Sequence, residues 1–265
     1  MASRLTNMAF IALLSGCATF SKTAPALPTR HSVVREQLVI YSTIKLARHH
    51  RLFDELVARR GDITQKLDLP ISDEPINVYL FDASDTYHAY MVSRHPQLPE
   101  RRAFFVESDT DLTVYAYWGD RVAEDLRHEV THAYLHAVVP NLPLWLDEGL
   151  AEYFEVPRGY RGLNSPHLQR LLDEYQAGRW KPDLARLEQF IHAEEMEQLD
   201  YAESWAWMHF LMETTPRRLA LLQEHMGQFR EKGRAEAFST LLQQSEAGLE
   251  TALILYLRSL TTGNS

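Results

Sequence analysis

Cysteine is almost missing: Cys17 is the single one in 265 residues. One thiol excludes an intramolecular disulfide, a cysteine-built zinc site and an iron–sulfur cluster. Glycine (11) and proline (12) are scarce too, which excludes collagen-like and low-complexity chains. Positive charge is outnumbered, with 27 Lys and Arg against 36 Asp and Glu for a net −9. A protein gripping nucleic acid through its phosphates needs the opposite balance, so no nucleic-acid partner is expected. No apolar run reaches the roughly 20 residues that cross a bilayer. What remains is 45% hydrophobic and 24% charged, enough to fold around a sizeable core.

The first twenty residues, MASRLTNMAFIALLSGCATF, set one cation, Arg4, before the apolar run Met8–Leu14, and follow it with Ser15 and Gly16. That is the order of a secretory signal. Leu14-Ser15-Gly16-Cys17 resembles the lipobox of bacterial lipoproteins. The resemblance implies cleavage of residues 1–16 and a lipid on Cys17, which would be the membrane attachment. Ala18 in place of an Asp after it implies the outer membrane, with the protein facing the periplasm. Residues 17–32 are polar and proline-containing and read as a tether. A single folded domain is expected over 33–265.

Apolar positions over 33–60 fall on a helical stripe (Val34, Leu38, Tyr41, Ile44, Leu52, Leu56) ending at Gly61, with His49, His50, Arg59 and Arg60 on its solvated face. Ile76–Phe81 reads as a strand, 82–92 as a short helix, and Ala103–Val106 with Leu112–Trp118 as a hairpin turning at Asp109–Asp111. Beyond Asp120 the pattern is helical, broken near 140–143, 156–164 and 178–183. Strands first and helices after predict an α+β fold: a small mixed or antiparallel sheet with helices, then a mostly helical lobe. The active-site helices are expected over 121–155 and further helices over 165–261. No internal repeat is present.

Within RVAEDLRHEVTHAYLHAVV (121–139), Val122, Leu126, Val130, Ala133 and Ala137 mark one apolar face. His128 and His132 stand i, i+4 on another, where two imidazoles can reach one metal ion, and Glu129 lies beside them. Such a pair needs a third protein ligand while leaving a position open. A third histidine six residues on, after a glycine, is absent: those positions are Leu135 and Val138. His136 reads as a supporting or packing histidine. A second helix, LWLDEGLAEYFE (144–155), follows a short loop, and Glu148 and Glu152 share one of its sides.

HEVTH followed by WLDEGLAEYF resembles the gluzincin-type zinc metallopeptidases, over roughly residues 110–215. The resemblance implies a zincin-like lobe holding one Zn2+ per chain, bound by His128, His132 and Glu148. Glu129 would be the general base on a zinc-bound water, and Glu152 a supporting carboxylate orienting His128; the reverse assignment makes Glu152 the ligand in place of Glu148. Tyr201 matches a tyrosine that opens a helix in the aminopeptidase branch and faces the scissile carbonyl, although Glu203-Ser204 replaces the Lys-Gly of that branch; His192 and His209 are alternative donors. In that family the strand before the metal helix is the edge along which peptide pairs, which points to Leu112–Trp118. The Gly-rich exopeptidase motif of the aminopeptidases is not found, so an endopeptidase acting on a peptide or protein substrate is the expectation. Two rivals stand beside it: a zinc-retaining binding or assembly lipoprotein without turnover, and a zinc hydrolase of a non-peptide amide or ester.

Overall fold

The structure, a computed structural model, describes residues 26–262. The signal segment and Cys17 lie outside the described residues, as does most of the expected tether. Strand β1 (His31–Arg35) begins two residues before the expected domain start at Val33 and turns back into β2 (Leu38–Ser42). The expected helix over 33–60 is therefore two strands followed by a later helix, α1 (Arg51–Leu67). The reason lies in the burial: Leu38, Ile40 and Ser42 are buried while Val39 and Tyr41 are half-buried, a period of two rather than 3.6. Glu36 takes a positive φ of 50° at the turn, which breaks any helix there. Gly61 sits inside α1. The His50 side chain accepts from the Leu52 amide and caps the helix start. Arg59, expected in solvent, is 4% exposed.

The remaining strands are β3 (Ile76–Phe81), β4 (Ala103–Glu107) and β5 (Leu112–Tyr117), with α2 (Ser84–Arg94) between β3 and β4. The sheet is mixed and ordered β1-β2-β3-β5-β4: β2, β3 and β5 run parallel, and β1 and β4 flank them antiparallel. The β4–β5 hairpin is as expected, but β5 is an interior strand. The edge that borders the metal helix is β4.

Leu38, Ile40, Ile76, Val78, Leu80 and Val114 turn one sheet face onto Leu52, Phe53, Leu56 and Ile63 of α1 and Leu126 and Val130 of α3 (Val122–His136). Each such side chain, removed from water, contributes roughly 1.5–3 kcal/mol. The other face is aromatic, with Tyr41, Tyr79 and Tyr115 stacked strand to strand at 5.0 and 5.6 Å and α2 covering one end through Tyr87, Tyr90 and Met91. After α3 come α4 (Leu144–Glu155), α5 (Ser165–Gln176), α6 (Leu184–Leu187), α7 (Gln198–Glu213), α8 (Pro216–Lys232), α9 (Phe238–Ser245) and α10 (Leu249–Thr262). The whole is the α+β arrangement expected. Among the described residues no helix is long and apolar enough to cross a membrane.

Helix α7 runs through the helical lobe, with every residue from Asp200 to Met212 buried. Helix α4 lies so close to it that a Cβ on Gly149 would meet the Ser204 carbonyl oxygen at 2.6 Å. That explains a glycine in the middle of a helix, where it otherwise costs stability.

Candidate metal centre

Helix α3 leaves β5 after a short loop, so its first two turns sit beside the β4 edge, and α4 folds back against it. The C-terminal carbonyls of α4 would be orphaned by the end of the helix. Buried arginines from other elements satisfy them: Arg59 Nη2 donates to the Val156 carbonyl at 2.7 Å and Arg127 Nε to that of Glu155. Burial lowers the Arg59 pKa to about 10, opposed by the charges of Asp62 and Glu55. These two cations fix the end of α4, and with it the Glu155 side chain, against α3.

His128, His132 and Glu148 meet as the spacing suggested. The two Nε2 atoms are 3.2 Å apart, and Glu148 Oε2 is 3.5 Å from the first and 3.7 Å from the second. Ligands at metal distances of about 2.0–2.2 Å on a tetrahedron stand roughly 3.3–3.6 Å from one another. Each imidazole is held from behind by a carboxylate. His128 Nδ1 is 3.1 Å from Glu155 Oε2, and His132 Nδ1 is 2.9 Å from Asp147 Oδ1. A proton kept on each Nδ1 leaves a lone pair on each Nε2. Two lone pairs and a carboxylate oxygen then converge, and the buried Glu148 Oε2 has no hydrogen-bond partner. In that tautomer three acceptors meet without a donor, an arrangement a cation would satisfy. These residues can hold a metal ion.

Glu155 takes the bracing position that the sequence suggested for Glu152. Glu152 lies one turn back on the same side of α4 and instead accepts from His167 Nε2 of α5 at 2.7 Å. Asn164 bridges the two, with Nδ2 2.9 Å from Glu155 Oε1. Asp147 was not singled out, although it is adjacent to Glu148. Its two oxygens reach His132 and, at 3.0 Å, His136, whose other nitrogen meets Glu107 of β4 at 2.7 Å. These contacts link α3 to the sheet edge, and His136, with His132 and Asp147, forms a second group that could hold a metal ion.

The electrostatics show how strongly the pocket favours positive charge. Burial alone would push His128 down, but the carboxylates of Glu148 and Glu155 beside it hold it well above the usual imidazole range. His132 is raised by Asp147 and Glu148 against its own burial. His136, also against burial, is pushed up to about 9 by Asp147 and Glu107. Burial opposes ionisation of Asp147 and Glu148, yet the imidazoles hold both below the usual carboxylate range. The carboxylates that stabilise imidazolium would stabilise a metal ion in the same way.

Glu129 points to the β4 side, where its Oε2 accepts the Phe105 amide at 2.7 Å. Burial raises its pKa above the ordinary value, partly offset by the His128 and His132 charges. It lines a cleft of about 930 Å³ together with His128, Tyr201 and Arg101. Tyr201, in the first turn of α7, accepts from Arg101 Nη2 at 3.1 Å. Its own proton has only the Ala193 carbonyl, at 3.5 Å, as a weak acceptor. That leaves the hydroxyl able to donate into the cleft. The start of α7 is pinned by Arg186, which pairs with Asp200 at 2.6 Å and Glu203 at 2.9 Å.

The alternative donors do not join this group. His192 is exposed at the head of a short turn, and His209 is buried against Tyr153, Trp205 and Tyr256. Trp205 and Trp207 are core residues. Arg101 carried no sequence signal, because a lone arginine ahead of a strand has no motif. No curated protein matches the chain. Residues 122–229, which carry both helices of the site and all of α7, match a family described as a protein of unknown function, DUF1570.

Proposed function

We propose that this protein is a zinc-dependent peptidase of gluzincin type, with His128, His132 and Glu148 as the metal ligands. What supports the reading is one convergence: His128, His132 and Glu148 bring three metal-binding acceptors together, and His128 lines the same cleft as Tyr201 and the half-buried Glu129. Two imidazoles and one carboxylate with a position left open form the donor set of catalytic zinc. When bound there, zinc supplies Lewis acidity, acidifying water and polarising a carbonyl.

The chain's own groups do the rest. Glu129, its pKa raised by burial, accepts a proton from the attacking water and returns it to the leaving amine. The Phe105 amide holds one of its oxygens and leaves the other to carry the proton. Tyr201 donates to the carbonyl oxygen as negative charge develops there. Glu155 and Asp147 keep both imidazoles in the tautomer that presents Nε2. The outer edge of β4 gives an extended peptide a backbone to pair with alongside Glu129.

We further propose that the enzyme is anchored in the bacterial envelope through a lipid on Cys17, facing the periplasm. Radiolabelled palmitate incorporated by wild type but not by Cys17→Ser is the expected result; equal labelling would refute the anchor.

The test of the activity compares zinc-loaded wild type with Glu129→Gln on a peptide and protein library. Cleavage by wild type alone, at equal zinc content, is the expected result. Equal zinc with cleavage by neither would favour a binding lipoprotein, and turnover restricted to non-peptide esters or amides would favour the other hydrolase class.

A further inference from the structure

The arginines of the cleft fall into two kinds. Arg102 is locked by Asp125 at 2.7 and 2.9 Å, Arg121 pairs with Glu124 at 3.0 Å, and Arg127 reaches Glu55 at 3.3 Å. Arg101, like the exposed Arg170 of α5, forms no ion pair among the described residues. Its guanidinium is held instead by neutral groups, the Tyr201 hydroxyl at 3.1 Å and the Phe104 ring at 5.9 Å to the centroid. One of its five N–H donors is used by Tyr201, and its remaining donors lack a carboxylate partner.

Arg101 is exposed at the mouth of the cleft, with no carboxylate in contact with it. The chain carries a net −9, and its field disfavours anions, so any affinity for one must be built locally. Arg101 stands on the wall that carries Glu129 and Tyr201, close enough to sense the charges of Glu129 and Glu148. A planar fork beside the tyrosine that faces the reacting carbonyl suits a carboxylate presented a short distance along the same substrate.

We propose that Arg101 determines specificity by receiving a substrate carboxylate next to the scissile bond. The inference deepens the peptidase reading and rests on it. The carboxylate has two possible sources, the free C-terminus of a peptide or an acidic side chain within one.

Binding decides the question without turnover. Zinc-loaded Glu129→Gln protein is titrated with three probes: an N-acetylated alanine peptide ending in a free carboxylate, its C-terminal amide, and an amidated peptide of the same length carrying one Asp. The amide is expected to bind about tenfold more weakly than one of the two acids, the scale of one charge-assisted contact at a partly open site. Preference for the first acid names the C-terminus as source, and preference for the second names the side chain. Adding Arg101→Gln should abolish the difference, while Arg101→Lys should keep part of it. Equal affinity for all three probes, or a preference that survives Arg101→Gln, overturns the proposal. Wild type that cleaves peptides with no acid preference removes the anchor and leaves the peptidase standing. Acid preference in binding, with no cleavage of any probe by wild type, does the reverse.

Discussion

The histidines of α3 and those of α7 and α8 are all drawn into the protein interior, and their surroundings could hardly differ more. His209 packs among Tyr153, Trp205 and Tyr256, and His225 between Phe229 and Phe238. Burial lowers both to about 4, as expected when a chargeable ring is taken out of water. His128, His132 and His136 are instead raised, because Glu148, Glu155, Asp147 and Glu107 stand against them. Removing carboxylates from water is costly in itself. A fold that needs only a packed interior makes the first kind of site; one that gathers carboxylates around imidazoles has something positive to hold. The contrast separates a histidine used as core from one set in a carboxylate-rich site that could hold a cation.

Four changes would break or sharpen that contrast. The largest effect is expected at Glu129, which borders the carboxylate-rich site and is not among the groups that could hold a metal ion. Glu129→Gln should lower peptide turnover by about 10²–10⁴-fold, with metal content unchanged by elemental analysis; loss of metal would mean it is a ligand instead. Asp147→Asn removes a brace rather than a ligand and should weaken zinc about 10–100-fold in competition with a chelator. An unchanged affinity would show that Asp147 only packs.

Gly149→Ala drives a methyl group into the Ser204 carbonyl and should cost about 1–3 kcal/mol in chemical denaturation, through packing of α4 on α7. A neutral result would mean that the two helices separate easily. The smallest effect concerns the carboxylate-poor histidines. His225 has no charged neighbour acting on it, so its folded form refuses a proton that the unfolded chain takes up below about pH 6.5. Its share of stability is complete above that pH and is lost as pH falls toward 4. His225→Phe should therefore flatten the decline of melting temperature between pH 6.5 and 4, and leave metal affinity unaltered.

Much of the site could be read in the chain because helix geometry is local. His128, Glu129 and His132 need only one turn of α3, and Glu148 needs only a short loop to a second helix. What supports them could not be read in the same way. Glu155 and Glu152 lie on one side of α4, and spacing does not say which faces His128; that is settled by Arg127 and Arg59, from α3 and α1. Arg101 reaches Tyr201 across 100 residues. In the fold, the order of strands before helices is readable, whereas β1 and β2 read as helix because apolar residues at positions 34, 38 and 41 mimic a helical stripe. The decisive feature was the turn at Glu36. Likewise β5 is an interior strand, and the free edge belongs to β4, an equally apolar run whose edge position no composition signal marks.

The central claim is that His128, His132 and Glu148 together bind one metal ion. Metal analysis of the folded protein after exposure to zinc and gel filtration tests it most directly, with Glu148→Ala alongside. About one zinc per wild-type chain, and little in the variant at unchanged circular dichroism, is the predicted result. Wild type without zinc, or a variant that keeps it fully, would contradict the account.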